Sequence, residues 1–93
     1  MTSDRSWTHR AAMVFYEWLV VRTDEELPRL YEIGVMLPET IDPYRLAHGI
    51  EWLAKQKMID KARNRNHYII RVRSTGRVYQ TAGCQLELPD RAA

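Results

Sequence analysis

The chain has a single cysteine, four isolated glycines and no long apolar run. One cysteine, Cys84, excludes an intrachain disulfide. The longest apolar stretch, residues 11–21, is interrupted by Glu17 and is far shorter than the roughly 20 residues of a membrane helix. The first ten residues lack the pattern of a signal peptide. We therefore expect a cytoplasmic protein, associated with the nucleoid if its source is a bacterium or a phage.

Patterns that would mark an active site are also missing. The sequence has no nucleophile elbow, no phosphate-cradling glycine loop and no acid and base paired at a useful spacing. The histidines His9, His48 and His67 are far apart, and none has a partner at metal-ligand spacing. We expect that the protein is not an enzyme and that it has no metal and no cofactor.

The length of 93 residues is enough for one small domain with a single core. Its 45% hydrophobic and 28% charged residues are typical of a folded protein. The prediction is one domain over residues 1–93, with loose termini at residues 1–6 and 89–93.

Positive charge is concentrated in one part of the chain. Residues 55–77 contain eight Lys or Arg and one acid, Asp60, so this stretch has a net charge of +7 in a chain whose net charge is +2. Folding does not require such segregation, whereas a polyanion-binding surface does, because each phosphate that is neutralised releases counterions. The pattern favours double-stranded DNA as a partner, and an acidic protein surface is the alternative.

A helix is predicted over residues 43–58. Asp42 is a good N-cap, and Pro43 suits the first helical position. Helical spacing divides the side chains into two faces. The inner face is predicted to contain Leu46, Ile50, Leu53 and Lys57, and the exposed face Tyr44, His48, Glu51 and Lys55.

A basic β-hairpin is predicted over residues 60–73. Its strands are residues 61–63 and 67–73, and its turn is residues 64–66, whose asparagines tolerate positive φ. Strand alternation then directs one set of side chains inward and the other outward. The inward set is Tyr68, Ile70 and Val72, and the outward set is His67, Arg71 and Arg73.

Two further helices are predicted before residue 43. Residues 7–22 are apolar over more than the ~100° stripe of a surface helix. Either this helix is packed on all sides within the domain, or its aromatic residues form a homodimer interface. The interface candidates are Trp7, Phe15, Tyr16 and Trp18.

The second helix is short and is predicted to end at Gly34. It starts either at the capping pattern of residues 23–26 or nearer Leu27 and Pro28. Its inner face is predicted to contain Leu27, Leu30, Tyr31 and Ile33, and residues 35–41 are expected to pack down as a connection. A short last helix is predicted at residues 77–80.

This order of elements resembles that of the winged helix-turn-helix family. The match is carried by residues 50–59 (IEWLAKQKMI), residues 68–72 (YIIRV) and residues 27–35 (LPRLYEIGV). It covers residues 7–80 and depends on spacing, and the insertion of residues 36–41 departs from the family's short turn. The resemblance implies an α+β fold, mainly α, with three helices, a two-stranded β-hairpin wing and a short C-terminal segment.

The resemblance also implies a function. The protein is expected to be a small DNA-binding transcriptional regulator, with residues 43–58 in the major groove and the wing, residues 60–73, on the backbone or in the minor groove. The alternative is a winged-helix interaction module, which docks an acidic partner through the hairpin or another chain through residues 7–22. For the DNA-binding regulator, the side chains expected to face DNA are Tyr44, Arg45, His48, Lys55, Lys61, Arg63, Arg65, Arg71 and Arg73.

Overall fold

The computed structural model describes residues 3–64 and 67–82. These residues form three helices and four strands, which confirms the predicted α+β class. In chain order the elements are α1 (Ser3–Val20), β1 (Glu26–Leu27), α2 (Leu30–Met36), α3 (Pro43–Lys55), β2 (Ile59–Asn64), β3 (His67–Val72) and β4 (Val78–Thr81).

The strands form one mixed sheet in the order β1-β4-β3-β2. The β2–β3 and β3–β4 pairs are antiparallel, whereas β1 is parallel to β4. The prediction of a two-stranded wing is therefore wrong, as is the last helix predicted at residues 77–80. Residues 78–81 alternate between exposed and buried positions, which is the period of a strand.

The core lies between the helices and one face of the sheet. The predicted inward set of β3 is confirmed, because Tyr68, Ile70 and Val72 are buried. Inside this core the Tyr79 hydroxyl donates to the carbonyl oxygen of Arg22 at 2.9 Å, and Tyr68 N–H donates to Thr81 Oγ1 at 2.9 Å. These hydrogen bonds satisfy polar groups that burial has removed from water.

Helix α3 begins as predicted. Asp42 Oδ1 accepts the backbone N–H of Arg45 at 2.8 Å, and Pro43 is the first helical residue. The apolar stripe is confirmed for Leu46, Ile50 and Leu53, all of which are fully buried. The stripe does not extend to Lys57, because α3 ends at Lys55 and Lys57 has a φ of 63°.

Helices α1 and α3 pack closely at small residues. A Cβ atom on Gly49 would lie only 3.0 Å from the backbone nitrogen of Ala12, so a side chain at position 49 would push the two helices apart. Ala11 and Ala12 are buried on the facing side of α1. This helix also starts earlier than predicted, because residues 3–6 are helical.

Helix α2 differs most from its prediction. It begins at Leu30, where Glu32 Oε1 accepts the N–H of Arg29 at 3.1 Å, and the preceding Glu26–Leu27 form β1. Tyr31, which was expected on the inner face, is 54% exposed. Gly34 lies inside the helix and does not end it.

Gly34 has a tertiary reason to be glycine. Its carbonyl oxygen accepts the N–H of Ile41 at 3.1 Å, and a Cβ atom at position 34 would overlap the carbonyl oxygen of Ile41. The connection between α2 and α3 is thereby drawn onto the helix. Leu37 and Ile41 are buried, as expected for a connection that packs down, whereas Val35 and Met36, which were predicted to belong to it, lie in α2 and are exposed.

Replacing Gly34 with alanine is expected to lower the free energy of unfolding by about 1–3 kcal/mol, because the new methyl group displaces the backbone at Ile41. The expected sign is opposite to the gain that alanine gives at an ordinary helix position. Urea denaturation checks this, with Val35→Ala as the control, because Val35 is the next residue of α2 and is 62% exposed. A Gly34→Ala protein as stable as the wild type would contradict the close approach.

Candidate nucleic-acid interface

The exposed face of α3 contains the helix side chains predicted to face DNA. Tyr44, Arg45, His48 and Lys55 are all exposed. The Arg45 guanidinium lies over the ring of Trp7 from α1, with 3.7 Å between its central carbon and the ring centroid. Trp7, Thr8, Arg45 and His48 line a shallow groove of about 300 Å³. The N-terminal half of α1 therefore borders the predicted DNA-facing surface and orients Arg45 at its edge.

Lys61 and Arg63 lie on the side of the sheet that faces the helices. They pair across the hairpin with Ile70 and Tyr68, and opposite residues in an antiparallel pair share a face. Lys61 Nζ lies 2.9 Å from Glu51 Oε2 on α3. These two cations and the exposed face of α3 therefore form one surface, which we call the α3 surface; it comprises Tyr44, Arg45, His48, Glu51, Lys55, Lys61 and Arg63.

Arg71 and Arg73 are not part of the α3 surface. Arg71 pairs with Asp60 across the hairpin, on the face of the sheet away from the helices. Asp60 accepts hydrogen bonds from both arginines, at 2.7 Å from Arg71 Nη2 and 2.8 Å from Arg73 Nη2. The described hairpin cations predicted to face DNA therefore lie on two faces of the sheet.

Each group of hairpin cations forms ion pairs with one acidic side chain. The hydrogen bonds from Arg73, and next those from Arg71, lower the pKa of Asp60 from 3.8 to about 2. Asp60 is therefore ionised at any physiological pH, and Glu51 is the corresponding partner of Lys61. The net charge of +7 counted along residues 55–77 overstates the positive potential of either face.

Glu51 and Asp60 join the site as residues that hold cations in place. Helical spacing predicts Glu51 on the exposed face of α3, whereas the sequence predicts no role for Asp60. The signal for Asp60 is the pairing register, because a connection of two residues between β2 and β3 brings it opposite Arg71. Arg65 and the rest of that connection lie outside the described residues, so the phosphate contact expected of Arg65 stays a prediction.

The four aromatic residues expected at a dimer interface all have contacts within the chain. Phe15 is fully buried in the core and offers no surface to a partner. Trp7 and Trp18 each lie beneath an arginine, at 3.7 and 4.4 Å, and the Tyr16 hydroxyl is 3.2 Å from Ser74 Oγ. Trp7, Tyr16 and Trp18 are partly buried and retain some exposed area.

Comparisons with family models, with curated proteins and with solved structures found no match to this chain. In residues 3–64 and 67–82, no helix is long and apolar enough to cross a membrane. The same residues contain no group of three or more His, Cys, Asp or Glu side chains arranged to hold a metal ion. The surfaces described above are therefore the basis for a function.

The Asp60 carboxyl group is expected to titrate at about pH 2 in the folded protein. Its folded-state pKa lies below the ordinary value of 3.8, so its ion pairs stabilise the fold above that pH, and this contribution is lost as the pH falls toward 2. Carbon-detected NMR of the carboxyl group measures the midpoint. Arg73→Ala should move the midpoint up toward 3.8, whereas Arg10→Ala, which removes the partner of Glu39, should leave it unchanged. A midpoint near 3.8 in the wild type would show that the arginines do not hold the carboxylate.

Proposed function

We propose that the protein is a small DNA-binding regulator of transcription with a helix-turn-helix arrangement of α2 and α3. In this proposal α3 enters the major groove of a duplex, and Lys61 and Arg63 contact the adjacent sugar-phosphate backbone. The observation that supports it best is the ion pair of 2.9 Å between Lys61 and Glu51. That contact joins the hairpin to the exposed face of α3, so that one duplex would meet both together.

The dimensions and chemistry of α3 suit this role. Its 13 residues span about 20 Å at 1.5 Å per residue, and a major groove about 12 Å wide admits a helix. His48 and Arg45, in the first half of α3, provide hydrogen-bond donors for base edges. Lys55, in the last turn, provides a charge for a phosphate.

Glu51 is the one acid on the α3 surface, and its pairing with Lys61 offsets its repulsion of phosphates. If Lys61 moves onto a phosphate in the complex, the Glu51 carboxylate becomes free to accept a hydrogen bond from the amino group of a cytosine. The same residue thus orders Lys61 in the free protein and supplies an acceptor for base reading in the bound protein.

Replacing Arg63 with alanine is expected to weaken binding to all duplexes by a similar factor, because a phosphate contact carries no sequence information. The slope of log affinity against log salt concentration should fall in magnitude by about one. Fluorescence anisotropy on short random-sequence duplexes at several salt concentrations measures both quantities. Arg77→Ala is the matched control, because it removes the same charge from the turn at the opposite end of β3 and should leave the slope unchanged.

His48→Ala should instead cost about 1–3 kcal/mol of binding free energy on the preferred duplex and less on random DNA. An intact protein that shows no salt-dependent duplex binding at low ionic strength would overturn the proposal. The acidic protein partner would then become the explanation for the same cations.

We also propose that the regulator acts as a homodimer, because symmetric dimers read paired half-sites. The partly exposed Trp7, Tyr16 and Trp18 leave aromatic area on α1 for this contact. Sedimentation at micromolar protein concentration is expected to give twice the mass of the monomer. A monomer both in the free protein and on the duplex would show that these side chains serve only the packing of the domain.

A further inference from the structure

Asp60 orders two arginines on the face of the sheet away from the helices. Arg71 donates through Nε and Nη2, at 3.1 and 2.7 Å, and Arg73 donates through the same two atoms at 3.1 and 2.8 Å. Both guanidinium groups are therefore oriented by a single carboxylate. Their side chains remain 57% and 51% exposed. Within the described residues the hydrogen bonds of both arginines use Nε and Nη2 only, so the Nη1 groups have no hydrogen-bond partner there.

The charge of this cluster is not balanced. Two guanidinium groups on one carboxylate leave a net charge of +1 at a fixed position. The low pKa of Asp60 keeps that balance constant over the physiological pH range. The pair between Arg10 and Glu39 provides the contrast, because it is also exposed and joined by hydrogen bonds but is one-to-one and has no net charge.

We propose that Arg71 and Arg73 form a second anion-binding site, which takes a phosphoryl group and is separate from the α3 surface. Guanidinium groups match phosphate oxygens in geometry, and the free Nη1 groups of two ordered arginines can donate to one phosphoryl group together. Binding normally costs conformational entropy because long side chains become ordered. Asp60 already orders Arg71 and Arg73 in the free protein, so this cost is reduced. The residual charge supplies the attraction.

The site does not depend on the proposed function. Lys61 and Arg63 lie on the helix side of the hairpin, whereas Asp60 and Arg71 lie on its other side. A duplex bound at α3 would therefore leave Arg71 and Arg73 facing solvent. The phosphoryl group could belong to a free phosphate compound or to the phosphodiester backbone of a second nucleic-acid segment.

The test is a titration of the intact protein with inorganic phosphate in place of chloride at constant ionic strength, followed through the NMR signals of the arginine Nε–H groups. The signals of Arg71 and Arg73 are expected to shift along a saturating curve. The Arg10 signal should show only the small, unsaturated change of a general salt effect. Equal, unsaturated responses from all three arginines would overturn the proposal.

Arg73→Gln converts the cluster into a one-to-one pair of Arg71 with Asp60. The phosphate affinity reported by the Arg71 signal should then fall about tenfold, the effect of losing one charge-assisted hydrogen bond. Arg10→Gln is the matched control and should leave the affinity unchanged. Wild-type affinity in Arg73→Gln would also overturn the proposal.

Two further measurements identify the source of the phosphoryl group and separate this site from the α3 surface. Arg63→Ala should leave the phosphate response unchanged, so a failure of duplex binding does not count against the second site. Titrating Arg63→Ala with a short duplex then asks whether the Arg71 and Arg73 signals move. Movement assigns the site to nucleic-acid backbones, and a response to inorganic phosphate alone assigns it to free phosphate compounds.

Discussion

The close crossing of α1 and α3 decides which side chains this domain presents to solvent. A Cβ atom on Gly49 would lie 3.0 Å from the Ala12 nitrogen, so the close approach of the two helices favours the rotation of α3 that turns Gly49 toward α1. Successive helical residues are about 100° apart, so a rotation by one position would bring His48 toward α1 and expose part of the apolar stripe. The exposed face of α3 is thus a consequence of packing on its opposite side.

Local signals were sufficient for the start and the buried stripe of α3 and for the inward face of β3, because each of these features has its own period or boundary residue. The Asp42 cap, the proline that follows it and the buried stripe were all readable in the sequence. β1 could not be predicted from the sequence, since a strand of two residues has no hydrophobic pattern. It is stabilised by its pairing with β4, which is distant in the chain. The prediction that α2 ends at Gly34 was wrong for a similar reason. Glycine commonly follows the end of a helix, but here it lies inside α2 because of its contact with Ile41.

The helix part of the candidate site could be predicted from the sequence, whereas the hairpin part could not. The reason is that the two parts depend on different kinds of periodicity. Helical spacing correctly placed Tyr44, His48 and Lys55 on one exposed face. The hairpin required in addition the length of its turn. A turn of three residues, 64–66, would pair residue 63 with residue 67 and direct Arg63 outward with Arg71. The observed register pairs Asn64 with His67.

That difference of one residue reverses the face of every side chain in β2, because strand side chains alternate with a period of two. Lys61 and Arg63 move to the helix side, where Glu51 meets Lys61, and Asp60 moves to the outer side, where it meets Arg71. A count of charge along the sequence contains no information about this choice. The segregation of charge in residues 55–77 therefore predicts that cations are abundant in the hairpin. The register alone determines that they are divided between two surfaces, each with one acid to hold them in place.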